Sequence, residues 1–329
     1  MKQGGLFKLS GYLLSAICLL SGCSIIDEDK CVLNYIEYRY LNNVGEDASS
    51  LYLNEVTDFI FTKDSVLYRV DEQITGGRIT KRPINLPDGD WIVYSYANLN
   101  GGSKVSDYVV GKTSLRELSV RVVNPPTYTG TYASSSDDSQ RVGNSDRLYF
   151  GKVSLTVKGG YTEHAQAVDM SNVHIWLSAT VRWKKTMDFF AKSGENLHVR
   201  LEYVPVEFGF LNDEKVDNLY GIPYNTPRIT EELATYSTKL QPTAVSNEYS
   251  FEMYGLRWES GRAPVLRLYD GETLLVGKDL PLNKYFEEQH IDLTHTRVQF
   301  YQLLIEVDGN TVVISNISIS DWEDGGSIW

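Results

Sequence analysis

The chain has 329 residues, with 31 basic and 43 acidic side chains and a formal net charge of −12. An acidic balance of that size excludes the long-range attraction on which binding to nucleic acid or to anionic lipid depends. Its 3 cysteines are too few for a disulfide-built scaffold, so the fold must rest on packed apolar cores, and the length is sufficient for two of them.

The first element is a signal peptide. Lys2 and Lys8 precede an apolar run over 9–20, which is shorter than the roughly 20 apolar residues of a spanning helix and fits a signal-peptide core. The run ends in Leu20-Ser21-Gly22-Cys23. Small residues at Ser21 and Gly22 admit a peptidase, and the Cys23 thiol is the one nearby group able to carry a diacylglyceryl thioether. The pattern resembles the lipobox of bacterial lipoproteins, which implies cleavage between Gly22 and Cys23 and lipidation of Cys23; plain cleavage is the alternative. Loss of 1–22 removes two lysines and no acid, leaving 29 basic against 43 acidic residues, a net charge of −14. Attachment to an outer membrane then falls to the lipid, because several acyl chains hold stably where one holds only reversibly. Cys18 leaves with the signal and Cys23 is blocked, so Cys31 stands alone and no intrachain disulfide is expected. Residues 23–30, with Asp27, Glu28 and Asp29, read as a short polar tether, and Ser24 stands where an aspartate would favour retention at an inner membrane.

Beyond the tether, apolar residues recur with a period of two, the pattern of strands with one buried face. Val153, Leu155 and Val157 form one such set, Ile175 to Trp183 a second, and Leu197, Val199, Leu201 and Tyr203 a third. Turn dipeptides separate strands at Asp88-Gly89, Gly159-Gly160, Asp270-Gly271 and Asp308-Gly309. Helical signals are short: Ser114 to Glu117 fits a capping box, and Thr230-Glu231-Glu232-Leu233 offers a second helix start. The serine-rich stretch 132–140 lacks apolar alternation and marks the approach to a domain boundary near Ser145, giving domains over 31–145 and 146–329. The stretch 212–243, with Pro223, Pro227 and Pro242, is expected to be a long loop. Short strands between such turns predict an all-β fold of sandwich domains.

Several segments resemble the FimB-type fimbrial anchor lipoproteins of Bacteroides and their relatives. They are the lipobox, the early strand Cys31-Val32-Leu33, the block 56–64 (VTDFIFTKD), and above all 84–99, where Leu86-Pro87-Asp88-Gly89-Asp90-Trp91 leads a strand into Ala97-Asn98. Ser145-Asp146-Arg147-Leu148-Tyr149-Phe150-Gly151 is similar to that family's entry into its second domain, and Ile317-Ser318-Ile319-Ser320-Asp321-Trp322 to its terminal strand. The resemblance implies two tandem transthyretin-like (Greek-key) β-sandwiches held at the outer membrane by lipid. It also implies a place at the base of a fimbria, a role in limiting its length, and a major fimbrial stalk subunit as partner. Sandwich edges suit that work because they expose backbone donors and acceptors to an added strand. No processing site like that of the family's stalk subunits is apparent, which fits a terminal anchor.

Chemical motifs are few. His290, Asp292 and His295 are the one histidine cluster, but alternate strand positions point to opposite faces, so no metal is expected. No Gly-x-Ser-x-Gly elbow, phosphate loop or dinucleotide fingerprint occurs, and neither a cofactor nor enzymatic activity is expected. Asp137-Asp138, in the serine-rich stretch, and Glu287-Glu288, in an expected surface turn, read as solvated faces. Trp183 belongs in a core, whereas Trp176 and Tyr94 fall out of phase with their buried neighbours and either pack against the other domain, the reading that weighs more, or offer stacking faces to a sugar or a partner subunit. A surface glycan-binding lipoprotein is the alternative reading.

Overall fold

A computed structural model describes residues 35–42, 45–74, 81–123, 141–159, 161–162, 166–184, 197–276, 279–309 and 311–319. The expected signal peptide, the tether with Cys23, Cys31 and the serine-rich stretch 132–140 lie outside the described residues. The all-β expectation holds: among the described residues 23 strands form four sheets, with two short α-helices and one 3-10 turn.

The chain begins with β1 (Tyr35–Tyr40), helix α1 (Ser49–Tyr52), β2 (Glu55–Thr62), β3 (Leu67–Ile74), β4 (Lys81–Pro83) and β5 (Gly89–Ala97). Next come β6 (Ser103–Val105), the 3-10 turn Leu115–Glu117, β7 (Ser119–Val122) and β8 (Arg141–Val142), then β9 (Tyr149–Lys158), β10 (Tyr161–Thr162) and β11 (Gln166–Asn172). An eight-stranded sheet runs β3-β2-β5-β9-β11-β1-β4, with β10 beside β9. It therefore takes strands from both sides of Ser145.

The middle strands of this sheet are buried on both faces. Phe59, Phe61, Tyr94, Tyr96 and Phe150 point one way, into a core with Val120 and Val122 of β7. Val56, Ile60, Trp91, Val93, Leu155 and Val157 point the other way, against Ile36, Tyr38 and Tyr40 of β1 and Val168 and Met170 of β11. Double burial explains why β2 and β5 read as nearly continuous apolar runs instead of alternating ones. The inner layer is pinned by Asp58, a carboxylate 1% exposed that accepts hydrogen bonds from Tyr38 Oη at 2.5 Å, Ser95 Oγ at 2.6 Å and Arg82 Nη1 at 2.9 Å. One side chain thereby ties β1 and β4 over β2 and β5.

The second half follows as β12 (His174–Trp183), β13 (Leu197–Pro205), β14 (Glu207–Val216), β15 (Pro223–Ile229), β16 (Leu233–Lys239), β17 (Gln241–Pro242) and β18 (Glu248–Leu256). It ends with β19 (Val265–Asp270), β20 (Thr273–Leu274), β21 (Leu280–Pro281), helix α2 (Leu282–Glu288), β22 (Gln299–Asp308) and β23 (Thr311–Ile319). A five-stranded sheet, β17-β18-β12-β22-β23, faces a six-stranded one, β20-β19-β13-β16-β8 with β21 beside β19. Their shared core holds Ile175, Leu177, Val181 and Trp183 of β12 with Val199, Leu201, Leu266 and Leu268, as the period-two pattern requires, but Tyr203 of the third predicted set departs from it and is 55% exposed. A fourth sheet, β15-β14-β7-β6, joins the halves, and Phe210 of β14 packs on Phe59 and Tyr96 at ring-centroid distances of 4.9 and 5.2 Å.

Three local expectations are corrected. The stretch 212–243 is not a loop but contributes the second half of β14, all of β15 and β16, and β17. Its prolines are compatible with strands because β15 and β17 are edge strands, where a missing N–H breaks no ladder on the outer side. Thr230 does not open a helix: its Oγ1 accepts the Glu232 N–H at 3.4 Å, a local turn that feeds β16. Glu287 and Glu288 end helix α2 and do not sit in a turn. The capping box is present, with the Ser114 N–H donating to Glu117 Oε2 at 2.7 Å, and Gly159, Gly271 and Gly309 take the positive φ their turns need.

Candidate assembly edge

Every open sheet exposes two edges, and backbone groups on an edge invite another strand. Here most edges are blunted. Strand β3 carries Arg69, Asp71 and Glu72; β4, β15, β17 and β21 contain Pro83, Pro223 with Pro227, Pro242 and Pro281; β6, β8 and β20 are two or three residues long. Strand β23 differs. Its nine residues, TVVISNISI, include neither charge nor proline and are rich in β-branched types that favour extended backbone. Val312 and Ile314 are buried in the sandwich core, while Val313 on the opposite face is 46% exposed. Antiparallel pairing with β22 runs from Asp308↔Thr311 to Tyr301↔Ile319, with a bulge between Leu304 and Ile305. Among the described residues β22 is its one neighbour. The arrangement is able to add a strand through main-chain hydrogen bonds, and alternate side chains would set the register.

The other residues singled out from the sequence lie elsewhere. Trp176 is not a stacking platform: it is buried, lies parallel to Tyr254 at 6.0 Å, and packs with Val298 and Phe300. Tyr94 is also buried, between Phe61, Phe150 and Phe210, because β14 covers the face that seemed open. Cys23 and Gly22 lie outside the described residues, as do Asp137, Asp138 and His164; the terminal resemblance segment is described only to Ile319.

Three of the described histidines, His174, His198 and His295, have partners within the fold. His174 is fully buried with Nδ1 at 3.0 Å from the Leu148 carbonyl, and burial pushes its pKa down to about 4. His198 stacks on Tyr269 at 5.3 Å. His295 Nδ1 lies 2.9 Å from Asp292 Oδ2, which also accepts Asn218 Nδ2 at 3.0 Å, while Oδ1 accepts the backbone N–H groups of Thr294 and His295. Burial raises the Asp292 pKa, but the hydrogen bonds from His295 and Thr294 outweigh it and hold the carboxyl below its ordinary value. Asp292 is thus a loop organiser with its oxygens engaged. Among the described residues no group of three or more His, Cys, Asp or Glu side chains is placed to hold a metal ion, and no helix is long and apolar enough to cross a membrane. Asp58 was invisible to sequence reasoning, since an aspartate in the phase of Val56 and Ile60 gives no sign of the Arg82 that reaches it.

The family described as Mfa2, fimbrillin-A associated anchor proteins Mfa1 and Mfa2, matches residues 27–324. Similar solved structures include a candidate polysaccharide-binding protein of Bacteroides thetaiotaomicron, with TM-score 0.61, 13% identity, and 88% of this chain and 96% of that one covered. A candidate adhesin of Bacteroides ovatus has TM-score 0.59 and 15% identity over 88% and 93% of the two chains. The fimbrial anchor protein Mfa2 of Porphyromonas gingivalis has TM-score 0.56 and 13% identity over 88% and 97%. At such identities the likeness is one of fold. No curated protein sequence matches.

Proposed function

Since the chain belongs to the Mfa2 family of fimbrillin-A associated anchor proteins, which associates it with fimbriae at the cell surface in a structural role, we propose that it is the lipoprotein anchor of a fimbria. In this reading the chain is cleaved after Gly22, lipidated at Cys23 and held in the outer membrane at the fimbrial base. It binds a major stalk subunit by strand addition and so limits filament length. The observation that carries the reading is β23, the long uncharged edge described above. A lipid at the chain start and an open edge far along the chain suit a protein with one end in the membrane and the other on a filament.

The test is deletion of the gene, with rescue by the natural chain, by Cys23→Ala and by Val313→Lys, and electron microscopy of surface filaments. The natural chain should restore short, retained filaments. Cys23→Ala should shed them, and Val313→Lys should leave the anchor in the membrane without holding filaments, since an edge lysine opposes strand addition. Filaments that stay attached and normal in the deletion strain would overturn the anchor role. Retention by Val313→Lys would overturn β23 as the contact while leaving that role intact.

A further inference from the structure

Tyr203 is out of keeping with its place in the fold. It sits in β13, between the core residues Leu201 and Val204, with φ +68. That backbone region is an outlier for a bulky residue and is ordinarily given to glycine. Its origin is a bulge: β13 pairs Leu201 with Tyr236 and Val204 with Ala234, so one extra residue is accommodated opposite β16. The strain is not offset by burial, because Tyr203 is 55% exposed. Backbone strain that survives without packing to justify it concentrates where a side chain has to be aimed at something.

The ring lines a concavity of ≈ 410 Å³ shared with Glu231, Leu233, Gly261, Arg262 and Ala263. The composition narrows the ligand. Glu231 and Arg262 are of opposite charge, so the lining has no net charge to favour a strongly charged ligand, and between them they offer acceptors and donors. Leu233, itself 41% exposed, and Ala263 add apolar surface to that of the Tyr203 ring. The chemistry that matches is a neutral pyranose, whose C–H face rests on an aromatic ring while neighbouring hydroxyls donate to a carboxylate and accept from a guanidinium. We propose that the Tyr203 concavity is a binding site for neutral hexose units of a polysaccharide. It lies on β13, distinct from β23, and stands or falls independently of the anchor role.

The test is isothermal titration of the full mature chain with neutral gluco-, manno- and galacto-oligosaccharides of two to six units, and with oligogalacturonate as an acidic control. At least one neutral series should bind. Tyr203→Phe should keep the affinity, while Tyr203→Gly, whose backbone prefers the bulge conformation, should lose about tenfold or more with a thermal midpoint that does not fall. Absence of binding by every neutral oligomer, preference for the acidic control, or unchanged affinity in Tyr203→Gly would overturn the proposal.

Discussion

Replacing Arg82 by methionine keeps an aliphatic stem of similar length and removes the one cation bonded to a buried carboxylate. Asp58 is 1% exposed and the Arg82 side chain 14%, with Nη1 at 2.9 Å from Asp58 Oδ2 and Nη2 at 3.4 Å from Asp71 Oδ2. Burial raises the Asp58 pKa, while the hydrogen bonds from Ser95 and Tyr38 and the charge of Arg82 pull it back. Breaking one side of such a pair leaves a desolvated charge, a loss of about 3–5 kcal/mol. For a domain of this size each kcal/mol moves the thermal midpoint by about 2–4 °C, so the variant should melt roughly 6–20 °C lower at neutral pH. The sign of the pH dependence follows from the raised native pKa. Stability tied to Asp58 is fully present below its unfolded pKa and is lost as pH rises through the native one. Without Arg82 the native pKa climbs further, so the deficit against the natural chain is largest at neutral pH and shrinks on acidification toward about pH 4. Urea unfolding of both proteins at neutral and mildly acidic pH reads the difference. A deficit below about 1 kcal/mol, or one that does not change with pH, would refute the account of Asp58 as a buried charge dependent on Arg82.

Gly151→Ala should destabilise by about 1–3 kcal/mol through overpacking, because a Cβ there would lie 2.5 Å from Val168 Cγ1, 2.8 Å from Met170 Sδ and 3.1 Å from the Asp169 carbonyl; denaturant midpoints measure it. His174 has a native pKa lowered to about 4 by burial, so the stability it favours is present at neutral pH and is lost as pH falls from about 6.5 toward 4, by roughly 3 kcal/mol. In His174→Gln that part of the acid-side decline should be absent from the pH–stability profile. Val313→Lys, on the exposed face of β23, should leave the stability of the isolated protein within about 0.5 kcal/mol, so that any loss of filament retention reports on binding; calorimetry checks it.

Patterning alone determined the all-β class, the positions of β9, β12 and β13, the glycine turns and the capping box at Ser114, because each depends on side-chain period or local backbone preference. The family was legible too, in the Leu86 to Trp91 turn and its strand. Other features depended on which element lies on top of which. Tyr94 had two readings, packed or offered to a ligand, until β14 covered it, and the prolines of 212–243 looked like loop markers until β15 and β17 took edge positions that need no outward N–H. Asp58 gained its meaning from Arg82, 24 positions away, and Tyr203 from a bulge that leaves no trace in the alternation of its strand. Period and turn chemistry act over a few residues and are written locally. Burial on a second face, edge position and the pairing of a buried charge arise only when distant strands meet, so tertiary structure decided them.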